Sequence, residues 1–237
     1  MTRVWMSWVG GERALRRGLL RRNGGSGPSA LRGGPVVLDR DGDTAVLFAG
    51  GRAVRPAMVR ALYGTFPVFR REFDAACRVA DERLPLPLAA VVFAPEGGVD
   101  GRLLHRAEFG RAALFAYQVA LYRVWRDWGV RVGAVAGDGT GALAMAYVAG
   151  ALGRDEAVRR AVTGRGPRAH GGEHGERALH AVGFHRVLLC GPRRRDTATV
   201  GHVPALLADL SELQLSGAPF CWEQLRDLRG EMLLERG

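Results

Sequence analysis

The chain of 237 residues contains no lysine and no isoleucine. Its 34 strongly basic side chains are therefore all arginine, and the two absences together mark coding from GC-rich DNA, which favours Arg, Ala, Gly, Val and Leu. A formal charge of +10 would ordinarily raise nucleic acid or an anionic membrane as the partner, because clustered arginine attracts phosphate. Codon bias accounts for part of that excess, so neither is the expected partner. The three cysteines, Cys77, Cys190 and Cys221, are too few and too scattered for a zinc site or a disulfide framework, and no metal and no cofactor is expected. No apolar run is long enough to span a bilayer, and the N-terminal MTRVWMSWVGGERALRRGLLRR lacks the continuous apolar core of a secretion signal. The expectation is a cytoplasmic protein.

What the sequence does hold is ordered around VRVGAVAGDGTGALAMAYVAG, residues 130–150. A short apolar run, Val132 to Ala136, enters the small residues Gly137, Asp138, Gly139, Thr140 and Gly141 and leaves through an alanine-rich segment of high helix propensity. That order predicts a strand, a tight turn and a helix. A nucleophile elbow, G-x-S-x-G, has the same outline, its glycines permitting a strained bend that presents the central side chain above a sheet. Here the central position is Gly139, which carries no reacting atom.

Upstream, residues 1–43 read as a basic arm and a Gly/Ser/Pro-rich linker, partly disordered. A buried-type strand is predicted over Thr44 to Ala49, stopped by Gly50 and Gly51. A helix follows from about Pro56 to Arg83 with a break near Pro67, its Met58, Leu62, Phe66, Phe69, Phe73 and Cys77 at helical spacing. Leu88 to Phe93 is a short apolar piece, and a second long helix runs from about Phe109 to Trp128, ended by Gly129. Beyond the elbow a helix spans Arg154 to Val162. Residues 163–177, TGRGPRAHGGEHGER, have no periodicity and read as an exposed loop. His170, Glu173, His174 and His180 could be grouped as metal ligands, but the intervening glycines leave the segment too loose to preorganise them, and a solvated loop is the better reading. His185 to Cys190 is another buried-type strand, Pro204 to Leu213 an amphipathic helix, Gly217 to Leu228 a turn with a last helical patch, and 231–237 a tail. Alternating strands and helices predict an α/β fold with a mostly parallel sheet flanked by helices.

With these pieces in order the chain resembles the acyltransferase domain of modular polyketide synthases and the related malonyl-CoA:acyl-carrier-protein transacylases. The resemblance rests on residues 44–58, LYGTFPVF (62–69), RAEFGRAALFAYQ (106–118), WRDWGV (125–130) and YVAGAL (147–152), and more weakly on RVLLCGP (186–192) and LQLSGAPFCWEQL (213–225). It implies a hydrolase-like α/β core spanning 44–230 in which the family's ferredoxin-like subdomain is largely missing, residues 163–177 standing in its place. It also implies ping-pong acyl transfer from coenzyme A to a carrier protein, with a serine activated by a histidine. Against that pattern the elbow's histidine position is Asp138 and its serine position Gly139. The oxyanion loop becomes Gly50, Gly51 and Arg52, where a backbone donor survives. Arg111 replaces the glutamine of the second helix, and the carboxylate-binding arginine falls at Gly164 beside Arg165, which leaves Arg111 and Arg165 as substrate-binding candidates.

The leading reading is a degenerate acyltransferase-like protein of polyketide biosynthesis, a pseudoenzyme that acts by binding a synthase module or an acyl carrier protein. Loss of the subdomain should uncover apolar surface and favour association, a homo-oligomer included. An active transferase or hydrolase with Thr140 as altered nucleophile is one alternative. A basic regulatory protein binding nucleic acid through Arg193, Arg194 and Arg195 and the N-terminal arginines is another.

Overall fold

The computed structural model describes residues 36–39, 42, 44–50, 54–95, 98, 100–165, 172–181 and 183–192. Most of the basic arm, Gly51 and Arg52, Arg193 to Arg195, and the helix and patch expected after Pro204 lie outside these.

Among the described residues, four strands form one sheet in the order β1-β3-β2-β4. They are β1 (Val36–Val37), β2 (Thr44–Phe48), β3 (Val132–Gly137) and β4 (Arg186–Cys190). β2 is central and runs parallel to both β3 and β4, while β1 adds antiparallel to β3. Phe48 lies opposite both Gly137 and Cys190, so the three parallel strands finish at one level.

All five residues of β2 are buried, which its apolar sequence requires of a strand covered on both faces. Side-chain alternation divides the core accordingly. Val46 and Phe48 join Val135, Leu188 and Cys190 under the main helical layer, whereas Ala45 and Leu47 face the other way with Ala134 and Ala136. The main layer comprises α1 (Pro56–Thr65), α2 (Pro67–Asp81), α3 (Leu88–Val92), α4 (Ala107–Asp127), α5 (Thr140–Val148) and α6 (Arg154–Thr163). On the opposite face α7 (Gly172–Ala181) places the fully buried Leu179 among the small residues.

Local chemistry sets the helix ends. Phe66 is extended (φ −115°, ψ 108°) and closes α1 while opening α2, because a residue preceding proline is driven out of the helical region. Pro67 then takes the first turn of α2, where its missing N–H costs nothing. α4 ends at Gly129, whose φ of 82° suits glycine, and the Val130 N–H returns to the Trp125 carbonyl.

Several expectations are corrected here. The domain begins before residue 44, since β1 pairs with β3; two residues are too short to carry a periodic signal. The short apolar piece takes helical form over residues 88–92, an outcome its sequence left open because such a run is ambiguous between strand and helix. The loop expected over 163–177 gives way to α7 from Gly172 onward. Glycine there serves close packing: a Cβ on Gly175 would lie 2.6 Å from Leu47 Cδ1. Tertiary burial of this face therefore outweighs the poor helix propensity of the segment. Among the described residues Leu86, 41% exposed, is the one exposed large hydrophobic.

Candidate functional site: a glycine-built elbow with an engaged donor

At the carboxyl end of β3 the chain turns through Asp138 and Gly139 and starts α5 at Thr140. Gly139 has φ 48° and ψ −124°, a conformation that L side chains rarely adopt. The glycines on either side are needed for space. A Cβ on Gly137 would come within 2.5 Å of the Gly141 carbonyl oxygen, and one on Gly141 would fall on the carbonyl oxygen of Phe48. The turn is held from both directions: the Asp138 N–H donates to the Phe48 carbonyl at 3.2 Å, and the Ala142 N–H reaches the Asp138 and Gly139 carbonyls.

The loop after β2 is tied to the same turn. Asp138 Oδ1 accepts from the Gly50 N–H at 2.8 Å, 88 residues away in sequence. The Gly50 N–H is thus taken by a carboxylate of the chain itself. Gly51 and Arg52 lie outside the described residues.

Gln118 holds the level at which the strands end. It is fully buried in α4, and its Nε2 donates to the Ala49 carbonyl at 2.7 Å and the Cys190 carbonyl at 2.9 Å. Its Oε1 has no partner among the described residues. Neither Gln118 nor the acceptor role of Asp138 was foreseen. An uncharged polar residue inside the apolar stripe of α4 was the available signal, since buried amides are retained where they meet backbone groups.

Of the two arginines proposed for substrate binding, Arg111 is engaged by the chain itself and Arg165 is exposed. Arg111 Nε donates to the Ala161 carbonyl at 2.7 Å and Nη2 to the Val162 carbonyl at 2.8 Å, which satisfies the last turn of α6. Its guanidinium lies over Gly164, where a Cβ would be 3.1 Å from Nη2. Gly164 is left-handed (φ 73°), and the Arg165 N–H closes the helix onto the Arg160 carbonyl while its side chain is exposed. Both positions thus belong to a helix terminus.

Among the described residues, Thr140 and the histidines His180 and His185 can be placed against the elbow. Thr140 is the first residue of α5 and half-buried. His185 precedes β4, and its ring stacks on His180 at 6.0 Å between centroids. Because β4 is parallel to β2 and β3, this pair sits toward the amino end of the strands, about 16 Å from the level of the elbow along the strand direction at roughly 3.3 Å per residue. His170 and the His174 side chain lie outside the described residues. Cys77 offers no substitute nucleophile, since burial pushes its thiol pKa well up, with the Asp81 and Asp74 carboxylates adding to the effect.

A strand, a positive-φ turn and a helix at the carboxyl end of a parallel sheet place the protein among α/β folds built on a hydrolase-like elbow. The chain belongs to the acyl transferase domain family, which matches residues 47–204. Among its relatives is polyketide synthase GfsA of Streptomyces halstedii, 43% identical over 133 residues, or 56% of this chain and 2% of the relative. The spectinabilin polyketide synthase system protein NorB of Streptomyces orinoci is 39% identical over 117 residues, 49% of this chain and 5% of the relative. The chain thus spans between 2% and 5% of the length of these curated relatives. A solved acyltransferase domain, from the second module of the salinomycin polyketide synthase, is 38% identical over 52% of this chain and 27% of that one, with a TM-score of 0.44.

Proposed function

We propose that the chain is a degenerate acyltransferase-like unit of polyketide biosynthesis that transfers no acyl group and acts by binding, in the cytoplasm, to a synthase module or an acyl carrier protein. The observation that carries the reading is Gly139: the elbow keeps its backbone geometry while the position that would bear the nucleophile has no side chain. Acyl transfer through an elbow needs an activated nucleophile and a base within hydrogen-bond reach, and the His180 and His185 pair is a strand length away.

Incubation of the pure protein with radiolabelled malonyl-CoA should leave no acid-stable acyl adduct. An adduct lost in Thr140→Val would replace this reading with that of an active transferase. Gly139→Ser should stay inactive and also lose about 1–3 kcal/mol of stability, because serine must adopt the strained backbone of residue 139; thermal melting checks the second effect.

Since the described residues expose little large apolar surface and the chain carries a charge of +10, its contacts with a partner should be electrostatic. Binding to the cognate carrier protein, followed by fluorescence anisotropy, should weaken by about tenfold or more between 50 mM and 500 mM NaCl, as expected where screening shortens the reach of exposed charges. Salt-independent binding would point to an apolar interface, and a monomer that binds no cognate synthase component would remove the scaffold role.

A further inference from the structure

We propose that the Asp138 carboxylate is a tethered anion that closes the elbow to anionic ligands. The inference rests on the reading of the elbow as retained, non-catalytic architecture and adds to it the class of ligand that is refused: carboxylates, phosphates and tetrahedral oxyanions.

Three observations converge. Asp138 Oδ1 takes the Gly50 N–H at 2.8 Å across 88 residues of sequence, so the contact is a product of the fold and not of a local turn. Gly50 is drawn so close that any side chain there is excluded: its Cβ would land on the Asp138 carbonyl oxygen and 2.7 Å from Oδ1. The Ala49 carbonyl beside it is pinned by the buried Gln118, which fixes the loop from beneath. The donor is therefore held rigidly against a negative charge that cannot diffuse away.

An incoming anion meets two obstacles at this point. The Gly50 N–H has one hydrogen to give, and Asp138 already accepts it in a charge-assisted bond. The approaching ligand also faces a like charge at a few ångströms, in partly buried surroundings where such repulsion is weakly screened. A tetrahedral intermediate, whose oxygen becomes negative as it forms, depends on donors that are available and positively biased. The Gly50 donor is neither. Gly139 and Asp138 accordingly act in the same direction: one removes the reacting atom, and the other engages a backbone donor beside it.

The test uses the full chain labelled with ¹⁵N-glycine and acetate as the anion probe. In the unsubstituted protein the Gly50 amide should be protected from hydrogen exchange and should not move on titration with acetate. In Asp138→Ala it should lose protection and shift with acetate, with an affinity about tenfold or more above that of the unsubstituted protein, the equivalent of about 1.4 kcal/mol. Equal shifts in both proteins, or none in the variant, would overturn the proposal. If Asp138→Ala does not fold, exchange in the unsubstituted protein decides alone: an unprotected Gly50 amide would overturn the proposal, and a protected one supports it. The malonyl-CoA experiment reads the absence of acyl transfer separately, so an acyl adduct with a protected Gly50 amide would sink the parent reading, whereas an unprotected amide without adduct would sink only this one.

Discussion

Gly141→Ala is expected to cost about 4 kcal/mol or more, a large part of the 5–15 kcal/mol that holds a typical domain folded. The added methyl would sit on the Phe48 carbonyl oxygen. Phe48 cannot yield easily, because that same oxygen accepts from Asp138 and its strand is paired on both sides. Relief would require shifting either α5 or the middle strand of the sheet, and backbone shifts of this kind are among the costliest responses to overpacking. Thermal denaturation should show a midpoint lowered by more than about 10 °C, or no cooperative transition. Gly64→Ala provides the contrast. Nothing lies within 4 Å of a Cβ at that exposed helical position, so alanine should add about 0.5–1 kcal/mol there by restricting the unfolded chain. Equal effects at the two sites would mean that α5 does not approach β2 as closely as described.

Arg111→Met should cost about 2 kcal/mol, seen as a midpoint lowered by about 4–8 °C. The change keeps the aliphatic bulk and removes two charge-assisted bonds to the carbonyls of Ala161 and Val162. Those carbonyls belong to the last turn of α6, where the helix dipole also favours a cation. Lysine should recover less than half of the loss, since a single ammonium cannot reproduce the fork made by Nε and Nη2. Unchanged melting of Arg111→Met would return Arg111 to the list of ligand-binding candidates.

Arg111 also illustrates where sequence reasoning stops. Its exchange for a family glutamine suggested a ligand contact, yet the function of a guanidinium depends on what faces it, and the facing carbonyls lie 50 and 51 residues away. The strongly periodic segments behaved differently. α4, β2 and β3 follow their apolar patterns to within a residue or two, and the break at Pro67 follows from covalent geometry alone. The elbow was legible for the same reason: glycine at 137 and 141 reports a spatial requirement of the local turn. α7 was not, because its helicity depends on a sheet face built by residues 45, 47, 134 and 136, to which Leu179 is complementary. Gln118 and the acceptor role of Asp138 fall in the same group, as both are defined by partners distant in the chain.

The backbone of Gly139 has a consequence for how this protein can change over generations. A serine at that position would have to hold φ near 48° and ψ near −124°, so a single substitution to serine loses about 1–3 kcal/mol of stability. Stability alone therefore favours keeping glycine there, and a serine would persist only where another change offset its cost.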